Sequence, residues 1–182
     1  MARPRTFDEE TVLSGAMHVF RRQGYTASSV RDLEEATGLT SGSLYNTYGD
    51  KRGLFRAASD HYNRKVLMRR LQDHAPKGSG IEGLRRLFLS LLHEPNGGSS
   101  GCLITNSAVE FGDTEIPPFV SHGFDLLREA FADRLGGDGP DAVGLLALYQ
   151  GVLVLVRAGY ETRDLEKMIT NHFSILEACH GR

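Results

Sequence analysis

The sequence has 182 residues, of which 40% are hydrophobic and 24% are charged. This is the composition of an ordinary globular protein, with room for one large domain or a small module fused to a larger one. Its 21 basic and 23 acidic residues exclude a strongly basic histone-like or ribosomal protein. Residues 1–72, however, hold 12 Lys and Arg against 8 Asp and Glu, so only the N-terminal third has a basic excess.

Cysteine usage and apolar runs indicate the compartment. Cys102 and Cys179 lie 77 positions apart, which provides neither a disulfide framework nor a four-cysteine zinc site. The first residues contain no apolar run typical of a secretory signal. The longest uncharged apolar stretch, 142–156, has 15 residues, fewer than the roughly 20 that span a bilayer. We therefore expect a soluble cytoplasmic protein with no membrane partner.

Helical periodicity and capping residues predict helices along the whole chain. The predicted N-caps of the first four helices are Thr6, Ser28 or Ser29, Thr40 and Asp50. The fourth helix should reach about Asp73, before the Pro- and Gly-rich breaker at 76–80. Further helices are predicted at about 81–93, 101–113, 118–135, 140–159 and 163–179. No segment alternates like a strand, so the predicted fold class is all-α.

Residues 29–48 are the most informative stretch. Two helices of about eight residues, joined by a turn at 37–39, have the dimensions of a helix-turn-helix. The second helix consists mostly of small and hydrogen-bonding residues, which helix propensity does not favour. Such a face suits a DNA groove, where hydroxyls and the Asn46 amide reach base edges, Gly42 permits close approach and Tyr45 binds a phosphate. From spacing and composition alone, a polar surface helix that binds nothing is an equally good interpretation.

A family resemblance decides between these interpretations. The segments that carry it are Phe20-x-x-x-Gly24-Tyr25, Ser29-Val30-Arg31-Asp32-Leu33, Ala36-x-Gly38-Leu39, the run from Gly42 to Lys51, and Leu54-Phe55. In these segments, residues 6–66 resemble the DNA-binding domain of the TetR family of bacterial transcriptional regulators. Two positions depart from the family pattern. Tyr48 stands where Phe is usual, and Ser41 stands where a long basic residue is frequent, which predicts weaker contacts there.

The resemblance implies an N-terminal three-helix domain, 6–66, with its helix-turn-helix at 29–48. A long fourth helix joins it to a larger α-helical effector-binding and dimerisation domain, 67–182. The implied DNA-binding residues are Ser29, Thr40, Ser41, Gly42, Ser43, Tyr45, Asn46, Thr47 and Lys51. The helix over 40–47 should enter the major groove of double-stranded DNA, with a near-palindromic operator as partner. In the family the last two helices pair with their copies, which predicts a homodimer through about 140–159 and 163–179.

The larger half is expected to bind a small effector. Gly101 to Asn106, followed by Ala108-x-Glu110, resembles a block that several branches of the family have near the effector pocket. The predicted lining among the helices over 81–159 is Leu87, Leu91, Cys102, Phe111, Phe119, Phe124 and Leu127. This lining suits a small hydrophobic or aromatic molecule. Alternatively, Cys102 at a helix N-terminus senses electrophiles or oxidants, or it is a buried core residue.

Other classes of protein fit less well. The 7 histidines are scattered without a ligand spacing such as His-x-x-x-His, so we expect neither an enzyme nor a metal or cofactor site. Glu110, Asp113 and Glu115 have the right chemistry for metal ligands, but a solvated helix end is the stronger interpretation. A helical interaction protein that uses this fold without DNA is the better rival.

Overall fold

The computed structural model describes residues 7–93, 101–112, 115–137 and 139–180, and every regular element within these ranges is helical. The first helices are α1 (Glu9–Gln23), α2 (Val30–Thr37), α3 (Ser41–Tyr48) and α4 (Lys51–Tyr62), after which a π-helical turn (Asn63–Met68) leads into α5 (Arg69–His74). The later helices are α6 (Gly80–Ser90), α7 (Leu103–Glu110), α8 (Pro118–Leu135), α9 (Pro140–Arg157) and α10 (Thr162–His180). The all-α prediction is confirmed. Helix α1 begins at Glu9 rather than directly after Thr6, and α7 covers Leu103–Glu110 rather than 101–113; the other helices lie close to their predicted positions.

Side-chain caps fix the starts of the N-terminal helices. Ser29, Thr40 and Asp50 each accept a hydrogen bond from a backbone N–H in the first turn of the following helix, as predicted. At α1 the cap is Asp8, whose carboxylate accepts from the N–H groups of Glu10 and Thr11. The predicted cap Thr6 lies outside the described residues.

Helices α1 and α3 pack against α4, and α2 packs against α1 and α3. Phe20, Leu33, Leu44, Leu54 and Phe55 are all fully buried, and each of these four helices contributes at least one of them. The chain passes from α4 through the π-helical turn into α5 without a break in helical structure, which makes one rod over 51–74. The rod connects the N-terminal helices to the larger half of the molecule.

The larger half has its own aromatic core. Phe88 of α6 lies 5.8 Å from Phe131 of α8, 5.5 Å from Tyr149 of α9 and 5.1 Å from Phe173 of α10, measured between ring centroids. These four rings are buried, so α6, α8, α9 and α10 converge on one point.

Helix α9 is only partly covered by its own subunit. Its 18 residues have a mean hydropathy of 1.3, yet only 28% of them are buried, so by length and composition alone it could cross a membrane. Tyr149 and Val152 face the core, whereas Val143 and Val154 are more than half exposed. The uncharged apolar stretch 142–156 is thus divided into a buried face and an exposed apolar face.

Candidate nucleic-acid interface

The turn between α2 and α3 is held by its own backbone and by one carboxylate. Gly38 has φ +69°, a left-handed conformation that a glycine adopts without strain, and its N–H donates to the Glu34 carbonyl. The Glu34 carboxylate accepts the Ser41 N–H at 2.6 Å, which ties the start of α3 to α2. This bond lowers the pKa of Glu34 below its ordinary value. Glu34 was not among the predicted site residues.

Helix α3 presents a small polar face to solvent. Leu44 is fully buried and anchors the helix, while Gly42, Ser43 and Asn46 are exposed. The spacing of these three residues places them on one side of the helix, opposite Leu44. A face with one amide, one hydroxyl and no side chain at Gly42 can approach base edges closely.

The remaining predicted residues of α3 flank this face. Ser41, Tyr45 and Thr47 are half-buried, and Thr40 is exposed at the N-cap. The Thr47 hydroxyl donates to the Ser43 carbonyl at 2.9 Å, and the Thr40 hydroxyl accepts the Ser43 N–H. Both threonines therefore stabilise the helix in the unbound protein.

Ser29 and Lys51 lie beside this helix with partners of their own. The Ser29 hydroxyl accepts the Asp32 N–H and the Asp32 carboxylate accepts the Ser29 N–H at 2.9 Å, which completes a capping box. The Ser29 hydroxyl also donates to this carboxylate at 2.6 Å. Lys51 Nζ donates to the Ser28 carbonyl at 2.5 Å and lies 4.8 Å from the centroid of the Tyr25 ring. Lys51 thus joins the start of α4 to the connection between α1 and α2.

Glu110, at the end of α7, reaches the same connection from the other half of the chain. Its carboxylate accepts the Tyr25 N–H at 2.7 Å and the Thr26 N–H at 2.5 Å. Burial raises the pKa of Glu110, but these hydrogen bonds and the charge of Lys51 outweigh burial and bring it below its ordinary value. The interpretation of Glu110 as a solvated helix end is therefore wrong. In the described part of the chain no three candidate metal ligands cluster, and Asp113 lies outside it.

The predicted effector-pocket residues fall into two groups. Leu87, Leu91, Cys102 and Leu127 are buried core residues, whereas Phe111, Phe119 and Phe124 are partly buried against that core. The rings of Phe111 and Phe119 lie 6.1 and 5.4 Å from the ring of Phe55 in α4. These two side chains therefore face the N-terminal helices.

Two cavities contact the predicted set. Phe119 lines a cleft of about 600 Å³ between the start of α4 and the start of α8, where Arg52 and Arg56 are exposed. Cys102 lines a cavity of about 10 Å³ between α7 and α9, which is near the lower limit for a single water molecule.

Comparison with known proteins agrees with this geometry. Residues 12–58 match the profile of the bacterial regulatory proteins of the tetR family. The chain is 33% identical over 187 residues to YezE, an uncharacterized HTH-type transcriptional regulator of Bacillus subtilis, and the match covers 92% of this chain and 94% of YezE. The chain belongs to the TetR family of bacterial regulators.

Two further relatives are informative. ComR, an HTH-type transcriptional repressor of Escherichia coli, is 47% identical over 60 residues, which cover 33% of this chain and 29% of ComR. A cysteine mutant of the TetR family regulator CifR, complexed with a 26-base-pair operator duplex, superposes with a TM-score of 0.76 at 25% identity and covers 95% of this chain and 98% of CifR. This TetR-family protein is thus a DNA-binding transcriptional regulator. It has an N-terminal helix-turn-helix domain and a helical C-terminal domain.

Proposed function

We propose that the protein is a homodimeric repressor that binds a near-palindromic operator and is released by a small effector. The observation that carries this proposal is the exposed face of α3, where Gly42, Ser43 and Asn46 lie opposite the buried Leu44. Thr40, Ser41, Tyr45 and Thr47 would extend the contact along the groove, with Ser29 and Lys51 at the phosphates. ComR, which matches this region, is a transcriptional repressor.

Dimerisation through α9 and α10 would supply a second helix-turn-helix, here called the second reading head (α2 and α3 of the other copy). One helix-turn-helix makes too few base contacts to select a site in a genome, so duplication by two-fold symmetry is the natural solution. On α9, Val143 and Val154 are exposed, and a Cβ added at Gly144 or Gly151 would meet nothing within 4 Å. Ile175 of α10 is also exposed. A copy of this face packs well against such a mixture of apolar and small residues.

A second subunit accounts for α9 better than a bilayer does. Leu145, Tyr149 and Val152 on its other face are buried in the subunit core, so the helix is integral to the larger half. The proposed partner covers only the exposed side.

Effector binding would act through the aromatic contacts between the two halves. Phe111 and Phe119 pack against Phe55, and Phe111 also lies 5.6 Å from the Tyr25 ring. A hydrophobic or aromatic molecule that inserts among α6–α9 and displaces these rings would favour a different placement of the reading head. Such differential binding shifts the population away from the DNA-competent state.

Footprinting the protein on the DNA upstream of its own gene tests the proposal. The expected result is one protected region containing a near-palindrome, bound by a species that sediments as a dimer. A protein that stays monomeric at micromolar concentration and shows no preference for palindromic DNA would contradict it.

One contact favours thiol sensing at Cys102 as a second candidate function. Tyr62 OH donates to Cys102 Sγ at 3.4 Å, and Cys102 is the N-cap of α7. Burial raises the pKa of Tyr62 well above its ordinary value, so the phenol stays protonated as a donor. A hydrogen-bond donor and the start of a helix therefore both lie at the Cys102 sulfur. The thiol is 1% exposed, so a reagent would enter only on local opening.

Release of operator DNA by N-ethylmaleimide separates the two candidates. If Cys102 is the sensor, N-ethylmaleimide should release the operator from the natural protein and from Cys179→Ser, which lacks the exposed cysteine. It should not release the operator from Cys102→Ser. Equal release of all three proteins, or release of none, would leave reversible effector binding as the function.

A further inference from the structure

Glu110 is the last residue of α7, yet both of its carboxylate oxygens bind the connection between α1 and α2 in the DNA-binding domain. Oε2 accepts the Tyr25 N–H and Oε1 accepts the Thr26 N–H, across 84 to 85 residues of sequence. Neither N–H belongs to a helix, because α1 ends at Gln23 and α2 begins at Val30. The carboxylate therefore binds backbone groups that the local structure leaves unpaired.

The fit at this point is close. Gly24, with φ +85°, brings the backbone so near that an added Cβ would lie 2.7 Å from a Glu110 oxygen. Two positions beyond Thr26, the Ser28 carbonyl accepts Lys51 Nζ, and the next residue, Ser29, caps α2. The segment that leads into the helix-turn-helix is thus held from α7 on one side and from α4 on the other.

A second contact ties α7 to the same end of α1. Asn106 Nδ2 donates to the Arg21 carbonyl at 2.9 Å, and Arg21 Nε donates to the Gly101 carbonyl at 2.5 Å. Asn106 lies one helical turn before Glu110. Helix α7 and the residue Gly101 before it therefore bind the end of α1 and the following connection through several hydrogen bonds. Of these, the bonds of Glu110 lie nearest to α2 in sequence.

We propose that Glu110 is a positioning residue for operator recognition: its carboxylate fixes the α1–α2 connection to α7 and so sets the orientation of the helix-turn-helix on the larger half. The proposal rests on DNA binding by the N-terminal domain and does not depend on the effector or on Cys102. The contact links α7, whose N-cap is Cys102, directly to the segment that leads into the helix-turn-helix.

Loss of the Glu110 charge and loss of its positioning role predict opposite changes in DNA affinity. A carboxylate near the phosphate backbone opposes DNA binding, so removing its charge would by itself strengthen binding. Disrupted positioning has the opposite effect. In Glu110→Gln, one amide N–H₂ group would face a backbone N–H, and one charge-assisted hydrogen bond would disappear.

The experiment measures operator and random-DNA affinity by fluorescence anisotropy for the natural protein, Glu110→Gln and the control Glu35→Gln. Glu35 is an exposed acid on α2, so its variant removes the same charge from the reading head itself. We expect Glu110→Gln to bind the operator about tenfold more weakly and to lose less affinity for random DNA. Glu35→Gln should bind at least as tightly as the natural protein. Operator binding by Glu110→Gln that equals or exceeds that of the natural protein overturns the proposal.

Amide hydrogen exchange of the natural protein gives a second measurement that needs no variant. The Tyr25 and Thr26 amides should exchange slowly although they lie between helices. Exchange as fast as in an unstructured peptide overturns the proposal even if Glu110→Gln fails to fold. Should the natural protein show no preference for palindromic DNA, the proposed repressor function fails, while the exchange measurement still tests the Glu110 contact.

Discussion

Lys51 and Asn46 lie in the same DNA-binding domain, but their surroundings differ. Asn46 is exposed on the outer face of α3, whereas Lys51 already donates to the Ser28 carbonyl. An ammonium group has three donors, so Lys51 can hold this carbonyl and a phosphate together. Replacing Lys51 and replacing Asn46 should therefore change DNA binding in different ways.

Lys51→Ala should weaken binding to random DNA as well as to the operator. Because one phosphate would no longer be neutralised, the slope of log affinity against log salt should fall by about one unit. The matched control is Lys77→Ala, which removes the same charge from the exposed turn between α5 and α6. Unchanged salt dependence in Lys51→Ala would show that Lys51 serves only the Ser28 carbonyl.

Asn46→Ala and Ser43→Ala should instead relax the preference at single base pairs. Removing a side chain that binds a base directly should cost on the order of 1–3 kcal/mol on the operator and little on random DNA. The measurement is competition binding against operators with one base pair changed at a time. Equal weakening on operator and random DNA would rule out base recognition by these side chains.

The helix caps and the buried anchor of α3 could be predicted from the sequence, because they depend only on residues nearby in the chain. Ser29, Thr40 and Asp50 follow capping preferences, and a buried Leu44 within a polar helix follows helical spacing. The contact that Glu110 makes could not be predicted. Its partners lie 84 to 85 residues away and are backbone N–H groups, which no residue type in the sequence indicates.

At the level of the helix, α9 illustrates what periodicity does not provide. The stretch 142–156 is uncharged and apolar, so by spacing alone Val152 is as suitable for an outward position as Leu148. The structure corrects this: Val152 is fully buried in its own subunit, Leu148 is half-buried, and Val154 is 53% exposed. Which apolar face meets the core depends on the packing of α8 and cannot be inferred from α9 alone.

Val154→Glu should therefore yield folded monomers, because two carboxylates would be brought into an apolar interface between copies. Val152→Glu is the matched control: it places the same charge two residues away in the subunit core and should unfold the chain. Analytical ultracentrifugation and circular dichroism distinguish these outcomes. If Val154→Glu remains a dimer, α9 does not form the interface.

The rod that joins the two halves contains a feature that no sequence signal marked. The residues of its π-helical turn, Asn63–Met68, include neither Pro nor Gly. Asn63 is nearly fully buried, and its side-chain amide has no hydrogen-bond partner among the described residues. The rod was predicted as one helix to about Asp73, which is right in extent. Its π-helical turn lies against α8, where a Cβ at Gly123 would lie 3.0 Å from Asn63 Oδ1.

In the described part of the molecule, aromatic contacts and hydrogen bonds join the DNA-binding domain to the larger half. The aromatic group formed by Tyr25, Phe55, Phe111 and Phe119 packs between them, and Glu110 fastens the edge of the same junction. We propose that a change in the larger half reaches the helix-turn-helix through these rings and through the hydrogen bonds of Glu110, Asn106 and Arg21. In a symmetric dimer the same change would alter the separation of two reading heads.

The central claim is that one dimer reads two half-sites on the same face of the DNA through its two copies of α3. Insertion of about 5 base pairs between the half-sites turns one of them to the opposite face. The measurement is the affinity for this duplex relative to the intact operator, at one salt concentration. Two α3 helices in a fixed dimer predict that affinity falls to the level of random DNA; equal affinity for both duplexes would contradict the account.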